Sequence, residues 1–494
     1  MGEQSWSSIL SFLSFDAENV LTYQSTGFVI LFLAFYAFYI GIHSRVQWRN
    51  IALLCFSLFF YYKLSGLYVF LLVALASSDF CIGMLMRRNR WFTRYGVWIS
   101  VILNLSFLAY YKYTYFFIDI YNGLSGSHFS LAFAIAQPIG ISYFVFKSMS
   151  YIIDLDREVI EESETSYVNY ILFVSFFPNI LAGPISKARD LLPQLRETIV
   201  IQRQHIAHGV FLLIMGLFKK IMIADYIAAN MTARVFEAPD FFSSMDKLMA
   251  CFGGLTQLFF DFAGYTDMVL GLAMLLGFTM EPNFNQPFKA TNISGFWKRW
   301  HMSFYNWLSE YVFQPIAYAL RRHKLKGTVI AIYATFLISG IWHGPNYTFI
   351  IWAIIHGSAI TLESLTTNIR AKAYKRMGNS YMHLSAALTF LLLVFSGVLL
   401  QCETVTDAGK MLSDIFTQFE SKFIFPWIEI YHKPFLVMLI ALLLQFAPIR
   451  FYARMYKQWQ RLPVWGMSVC FCIAILVFYQ FASMEALPFK YIEF

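Results

Sequence analysis

Residues 338–347 read Ile-Ser-Gly-Ile-Trp-His-Gly-Pro-Asn-Tyr, ISGIWHGPNY, with apolar runs on both sides, Thr328 to Leu337 and Thr348 to Ile355. What such a stretch means depends on its solvent. Hydrophobic residues make up 58% of the 494-residue chain and charged residues only 13%, and the mean hydropathy is +0.56. A soluble domain carries about 25% charged residues. This chain has too little charge to cover a water-facing surface, so it reads as an all-α polytopic membrane protein.

In a membrane, the stretch acquires a specific reading. Basic loops flank the pair of segments 328–341 and 347–362, so both outer ends of the pair face the cytoplasm. The turn Trp342-His343-Gly344-Pro345 is then expected deep in the membrane or at its far side. Irregular backbone at membrane depth survives only when buried in protein or lining a wet cavity, which puts His343 in an internal chamber. Gly344 permits close backbone approach and Pro345 stops the preceding helix. An ionisable group in such a place is a functional candidate by default. Histidine changes protonation near neutral pH, which suits a general base acting on a hydroxyl; a structural histidine bonded to a neighbouring carbonyl is the alternative.

The rest of the chain follows the same logic. Apolar segments begin near Gly27 and recur to near Val464; at about 20 residues per span they make roughly 11–13 transmembrane or re-entrant pieces. No repeat or low-complexity linker divides them, so residues 1–494 are expected to form a single membrane domain. The formal charge of +8 does not indicate nucleic acid, because the basic residues sit in short clusters between apolar runs, as cytoplasmic loops do. These include Arg45 to Arg49, Arg87 to Arg94, Arg321 to Lys326, Arg370 to Arg376 and Arg450 to Arg461. Residues 403–433 are acidic on balance and fall outside, as does the C-terminal tail. The six cysteines form no C-x-x-C pair, which argues against a disulfide framework or a metal site. The start lacks the basic residues of a cleavable signal peptide; Trp6, Ile9, Leu10, Phe12 and Leu13 suit one face of an interfacial helix. The acidic stretch 154–166 and the basic stretch 187–203 bracket an apolar segment, 167–183, that is expected to dip in and return.

Three further stretches carry polar residues among apolar ones. In FWKRWHMSFYNWLSEY (296–311), Trp297, Trp300 and Trp307 suit interfacial anchors. In a helix His301 and Tyr305 would share a face, and the stretch reads as an in-plane or re-entrant helix at the cytoplasmic mouth. In FFDFAGYTDMVLGLAMLLGFTMEPNFNQPF (259–288), Asp261 and Asp267 interrupt a run too long and broken for one clean helix, and Asp267 is expected to pair with a basic neighbour. In FPNILAGPISKARDLLPQL (177–195), Gly183-Pro184 breaks the chain at an apolar-to-basic boundary, as a re-entrant loop would. Nucleotide-binding loops, H-E-x-x-H and G-x-S-x-G are absent, which removes support for nucleotide hydrolysis, zinc proteolysis and a serine-hydrolase elbow.

Together with QPIGISYFVFKSMSYIIDL (137–155), GLFKKIMIAD (216–225) and GIWHGPNYTFIIWAIIHG (340–357), these stretches resemble the membrane-bound O-acyltransferase superfamily. The likeness is firm over 137–365, taken as the catalytic core. It leans to the bacterial branch whose members O-acetylate alginate or peptidoglycan, or D-alanylate teichoic acid. The resemblance implies a central funnel, a catalytic role for His343 in the W-H-G motif and a companion role for His301 in the F-W-x-R-W-H motif. It implies acetyl-CoA as a donor substrate rather than a bound cofactor, with Lys298, Arg299, Arg321 and Arg322 suited to its phosphates. It further implies a polysaccharide acceptor, an extracytoplasmic acetyltransferase or esterase-like partner, and a place among the lipids of a bacterial inner membrane. Where the family often has Arg-Asp before Tyr311, this chain has Ser309-Glu310, and Pro315-Ile316-Ala317-Tyr318 stands where the alginate branch often has Pro-Leu-Gly-Gly; the acceptor therefore stays open. Other readings are D-alanyl transfer from a carrier-protein thioester, a lipid or glycan transporter without chemistry, and an inactive scaffold for an assembly complex, against which the presence of both histidines argues.

Overall fold

The computed structural model describes residues 14–16 and 20–481; the expected interfacial face from Trp6 to Leu13 and the C-terminal tail lie outside them. Every regular element among the described residues is a helix. Nine of these helices are long and apolar enough to cross a membrane, so the chain is an all-α, multi-pass membrane protein. It divides into two compact units, one of residues 1–209 and 268–281, the other of residues 210–267 and 282–494.

In the first unit the 167–183 segment forms a helix only over Tyr167–Ser175. Nine residues rise about 14 Å, less than half the hydrocarbon thickness, in keeping with a segment that dips in and returns. The irregular backbone that follows is buried and held by Asn179. Its Nδ2 donates to the Pro184 carbonyl at 3.2 Å and to Ser186 Oγ at 3.0 Å, while Lys147 Nζ donates to its Oδ1 at 3.1 Å. A Cβ at Gly183 would meet the Asn179 Cα at 2.6 Å, so the fold at this turn requires glycine. Arg49 departs from the solvated-loop expectation. Fully buried, it donates to the carbonyls of Leu195 at 2.7 Å and Glu197 at 2.8 Å, satisfying the C-terminal end of the Ala188–Arg196 helix, where a cation is favoured.

The second unit holds all the candidate site residues. Asp261 and Asp267 lie on the helix Ser244–Leu275, and the chain leaves that helix before reaching Pro287. Asp267 pairs with Lys219 at 2.6 Å, as expected. Lys220 sits between Asp261 and Asp225, 2.8 Å from each. A Cβ at Gly264 would meet the Gly216 carbonyl oxygen at 2.8 Å. Glycine thus lets the Ser244–Leu275 helix approach the Lys219-Lys220 turn closely enough for these pairs to form.

Candidate active site

The W-H-G turn joins two antiparallel helices, Lys324–His343 and Tyr347–Leu365. The first begins in the basic 321–326 segment and runs for 20 residues, about 30 Å, before His343 closes it. Gly344 is extended (φ 178°, ψ 161°), as a residue before proline prefers. Asn346 then caps the next helix, accepting from the Thr348 N–H at 3.0 Å. It also donates to the Glu403 carbonyl at 2.5 Å, at the start of the segment expected outside. The turn is therefore a full helix length from the basic loops, at their far side. The helices pack closely because a Cβ on Gly340 would meet the Phe349 carbonyl oxygen at 2.6 Å.

His301 reaches the same neighbourhood from another element. The 296–311 stretch, expected as one in-plane helix, splits into Ile293–Trp297 and Met302–Leu308. Between them His301 adopts a left-handed backbone (φ 44°), which costs a non-glycine residue about 1–2 kcal/mol. Asn283 holds the turn in place. Its carbonyl accepts from the Met302 N–H at 2.9 Å, and its Oδ1 accepts from Ser303 Oγ at 2.6 Å. Glu363 anchors the preceding piece, accepting from the Ile293 N–H at 2.6 Å and Ser294 Oγ at 2.6 Å. The tryptophans expected as interfacial anchors, Trp297, Trp300 and Trp307, are buried. This polar stretch folds into the protein, and its indoles pack against Phe336 and Trp352, Phe259, and Tyr311.

The two imidazoles share one aromatic cluster. The Phe304 ring stacks on Trp342 with centroids 4.2 Å apart and lies 5.0 Å from His301 and 6.2 Å from His343. Trp352 meets His343 edge-on at 5.2 Å. His343 is 4% exposed and His301 1%. Burial first, and then the neighbouring His343 imidazole, hold His301 well below the usual histidine range, which favours its neutral form.

Beside the cluster lies a cavity of about 300 Å³. Thr328, Ile332, Thr335, Phe336 and Ser339 line it from one face of the Lys324–His343 helix, and His301, Phe304 and Tyr305 from the facing element. His343 lies one turn beyond Ser339 on the same stripe. His301 and Tyr305 both line the cavity, although His301 stands in the left-handed turn before the helix that carries Tyr305. The basic candidates separate. Lys298 is exposed and lines the cavity. Arg299 donates to the Asn285 carbonyl at 3.2 Å. Arg321 folds over the Tyr318 ring at 4.1 Å, and Arg322 is exposed; neither lines the cavity. Asn283, Ser303 and Ser339 carried no functional signal in the sequence, since a single polar residue inside a motif does not say which turn it clamps, and Glu363 lies beyond the motifs altogether.

The fold and this site define a class: a polytopic membrane protein with buried histidines gathered in one aromatic cluster beside a cavity. The profile described as MBOAT, membrane-bound O-acyltransferase family, matches residues 98–403. The chain belongs to the membrane-bound O-acyltransferase family. The probable alginate O-acetylase AlgI of Azotobacter vinelandii is 31% identical over 411 residues, covering 80% of this chain and 78% of that one. The peptidoglycan O-acetyltransferase of Helicobacter pylori is 29% identical over 437 residues, covering 82% and 81%. The teichoic acid D-alanyltransferase of Bacillus subtilis is 29% identical over 234 residues, covering 45% and 58%.

Proposed function

We propose that this chain moves an acetyl group from cytoplasmic acetyl-CoA across a bacterial inner membrane toward a hydroxyl of an exported or envelope polysaccharide, directly or through an extracytoplasmic partner. The observation that carries the reading is the placement of His343 and His301 on one aromatic cluster, with His343 a helix length from the basic 321–326 segment and a cavity running back along that helix. In the proposed reaction His343 takes the proton of the attacking hydroxyl. The oxygen bonds to the thioester carbonyl carbon, and the C–S bond breaks as the leaving thiolate takes that proton back from the imidazolium. His301, neutral and held rigidly by its turn, donates a hydrogen bond to the developing oxyanion. The low exposure of both rings strengthens such a contact, because little water competes for it. Lys298, at the cavity, is the cation best placed for a donor phosphate.

The test is mass analysis of envelope and exported glycans from cells carrying the wild-type chain, His343→Ala or His301→Ala. The reading expects one class of O-acetyl ester to disappear in both variants while protein remains in the membrane. Normal acetylation in both would remove these histidines from the mechanism. Loss of D-alanyl rather than acetyl esters would move the donor to a carrier-protein thioester.

A further inference from the structure

The helix Ile449–Trp459 stands between two span-length helices, Ser421–Phe446 and Val464–Phe481. The linkers on either side are short, and each contains a proline, Pro448 and Pro463. A helix so tethered at both ends lies along the membrane face from which both spans emerge. Its surface has three stripes. Tyr456 and Trp459 pack on Phe211 at 5.4 and 6.1 Å, and the Tyr452 hydroxyl donates to the Leu444 carbonyl at 2.6 Å, so this stripe docks on protein. Phe451 and Met455, one turn apart, stay exposed at 46% and 37%. Arg450, Arg454 and Lys457 follow at the four- and three-residue steps of a single helical face, Arg461 continues the run in the turn just past the helix end, and all four are exposed. Among the described residues no carboxylate pairs with any of them.

We infer that this helix is a binding site for anionic phospholipid headgroups. The exposed apolar stripe enters the acyl boundary as the cationic stripe meets the phosphates, the arrangement of an interfacial amphipathic helix. Four cations that pair with no carboxylate among the described residues, on a surface the basic loops mark as cytoplasmic, attract anionic lipid at about 1 kcal/mol each, and guanidinium groups grip phosphate through paired N–H donors. The linker that leads into this helix is tied to the loop beside the candidate site. Gln286 Nε2 and Lys289 Nζ both donate to the Ala447 carbonyl, at 2.9 and 2.8 Å, and the same loop carries Asn283, which holds the His301 turn. Lipid bound here would thus brace the loop beneath His301, whatever group the histidines transfer.

The experiment uses the full chain in nanodiscs of phosphatidylcholine with graded phosphatidylglycerol. A photoactivatable phosphatidylglycerol is crosslinked, the labelled peptides are mapped by mass spectrometry, and retained lipid is counted after mild delipidation. Labelling is expected on residues 449–461, with phosphatidylglycerol enriched over phosphatidylcholine and the enrichment falling as salt rises. Arg450→Gln/Arg454→Gln/Lys457→Gln/Arg461→Gln should lose it, by up to about fivefold per charge, while the triple Arg→Lys variant keeps most of it. Equal labelling by both lipids in the wild type, or labelling confined to other segments, would overturn the inference without requiring any variant to fold. Displacement of phosphatidylglycerol by coenzyme A at constant ionic strength would overturn it too, assigning the stripe to a nucleotide.

Discussion

Gly344→Ala offers the sharpest test of the site's geometry. The backbone there is extended, so alanine adds no torsional strain, and its effect comes from volume alone. The new Cβ would stand 2.4 Å from Phe349 Cε2 and 2.9 Å from Cδ2, about 1 Å short of ordinary contact. The ring cannot retreat freely. Phe349 is buried, and its carbonyl lies against Gly340 where the two helices touch. Overpacking of this kind costs about 1–3 kcal/mol. The Phe349 centroid is 6.1 Å from that of His343, so a displacement of about 1 Å reaches the imidazole. A misplacement of that size costs on the order of a hundredfold in rate. The assay is paired: thermal unfolding of the purified chain, and O-acetyl content of glycans from cells expressing it at matched levels. Gly344→Ala is expected to lower both. Adding Phe349→Leu, which shortens the obstructing side chain, should recover most of the activity even if stability stays low. Full activity in Gly344→Ala, or no rescue by the second substitution, would refute the claim that this turn sets the position of His343.

His343→Ala should reduce turnover by about 10²–10⁴, the usual contribution of a general base, and His301→Ala by about 10²–10³ if it serves the oxyanion; both are read from single-turnover acetyl transfer. At its left-handed position, His301→Gly should unfold at a higher temperature than His301→Ala, by about 1 kcal/mol of backbone strain relieved, with neither variant active. Because the folded protein holds the His301 pKa below its unfolded value, protons bind the unfolded chain first as pH falls. Stability is therefore present above about pH 6.5 and declines below it, and His301→Phe should flatten the loss between about pH 7 and 5 in a thermal-shift series. Lys220→Met should cost about 3–5 kcal/mol by leaving the buried Asp261 and largely buried Asp225 carboxylates without their shared cation, seen as lost membrane accumulation; Lys220→Met/Asp225→Asn/Asp261→Asn should recover part of it.

The sequence by itself determined the solvent, and with it much else. Sparse charge and long apolar runs leave the backbone no option but helices that satisfy their own hydrogen bonds. Basic loops on both sides of 328–362 fix the outer ends of that pair. Gly344-Pro345 breaks the helix at His343 because proline forbids its continuation. Motif order then marks both histidines. What only the tertiary structure decided are the features that depend on residues distant in the chain. The indoles of Trp297, Trp300 and Trp307 look like interfacial anchors in a one-dimensional pattern. They are buried because Glu363, some 70 residues on, draws the start of their segment into the fold. Arg49 looks like one more cytoplasmic cation, yet it caps carbonyls near residue 195. The left-handed turn at His301 depends on Asn283, and no local propensity would choose that backbone for histidine. Periodicity reports the medium around a helix. Which side chain meets which is settled by packing and by the hydrogen bonds that buried polar groups must find, and these are satisfied across the fold rather than along the chain.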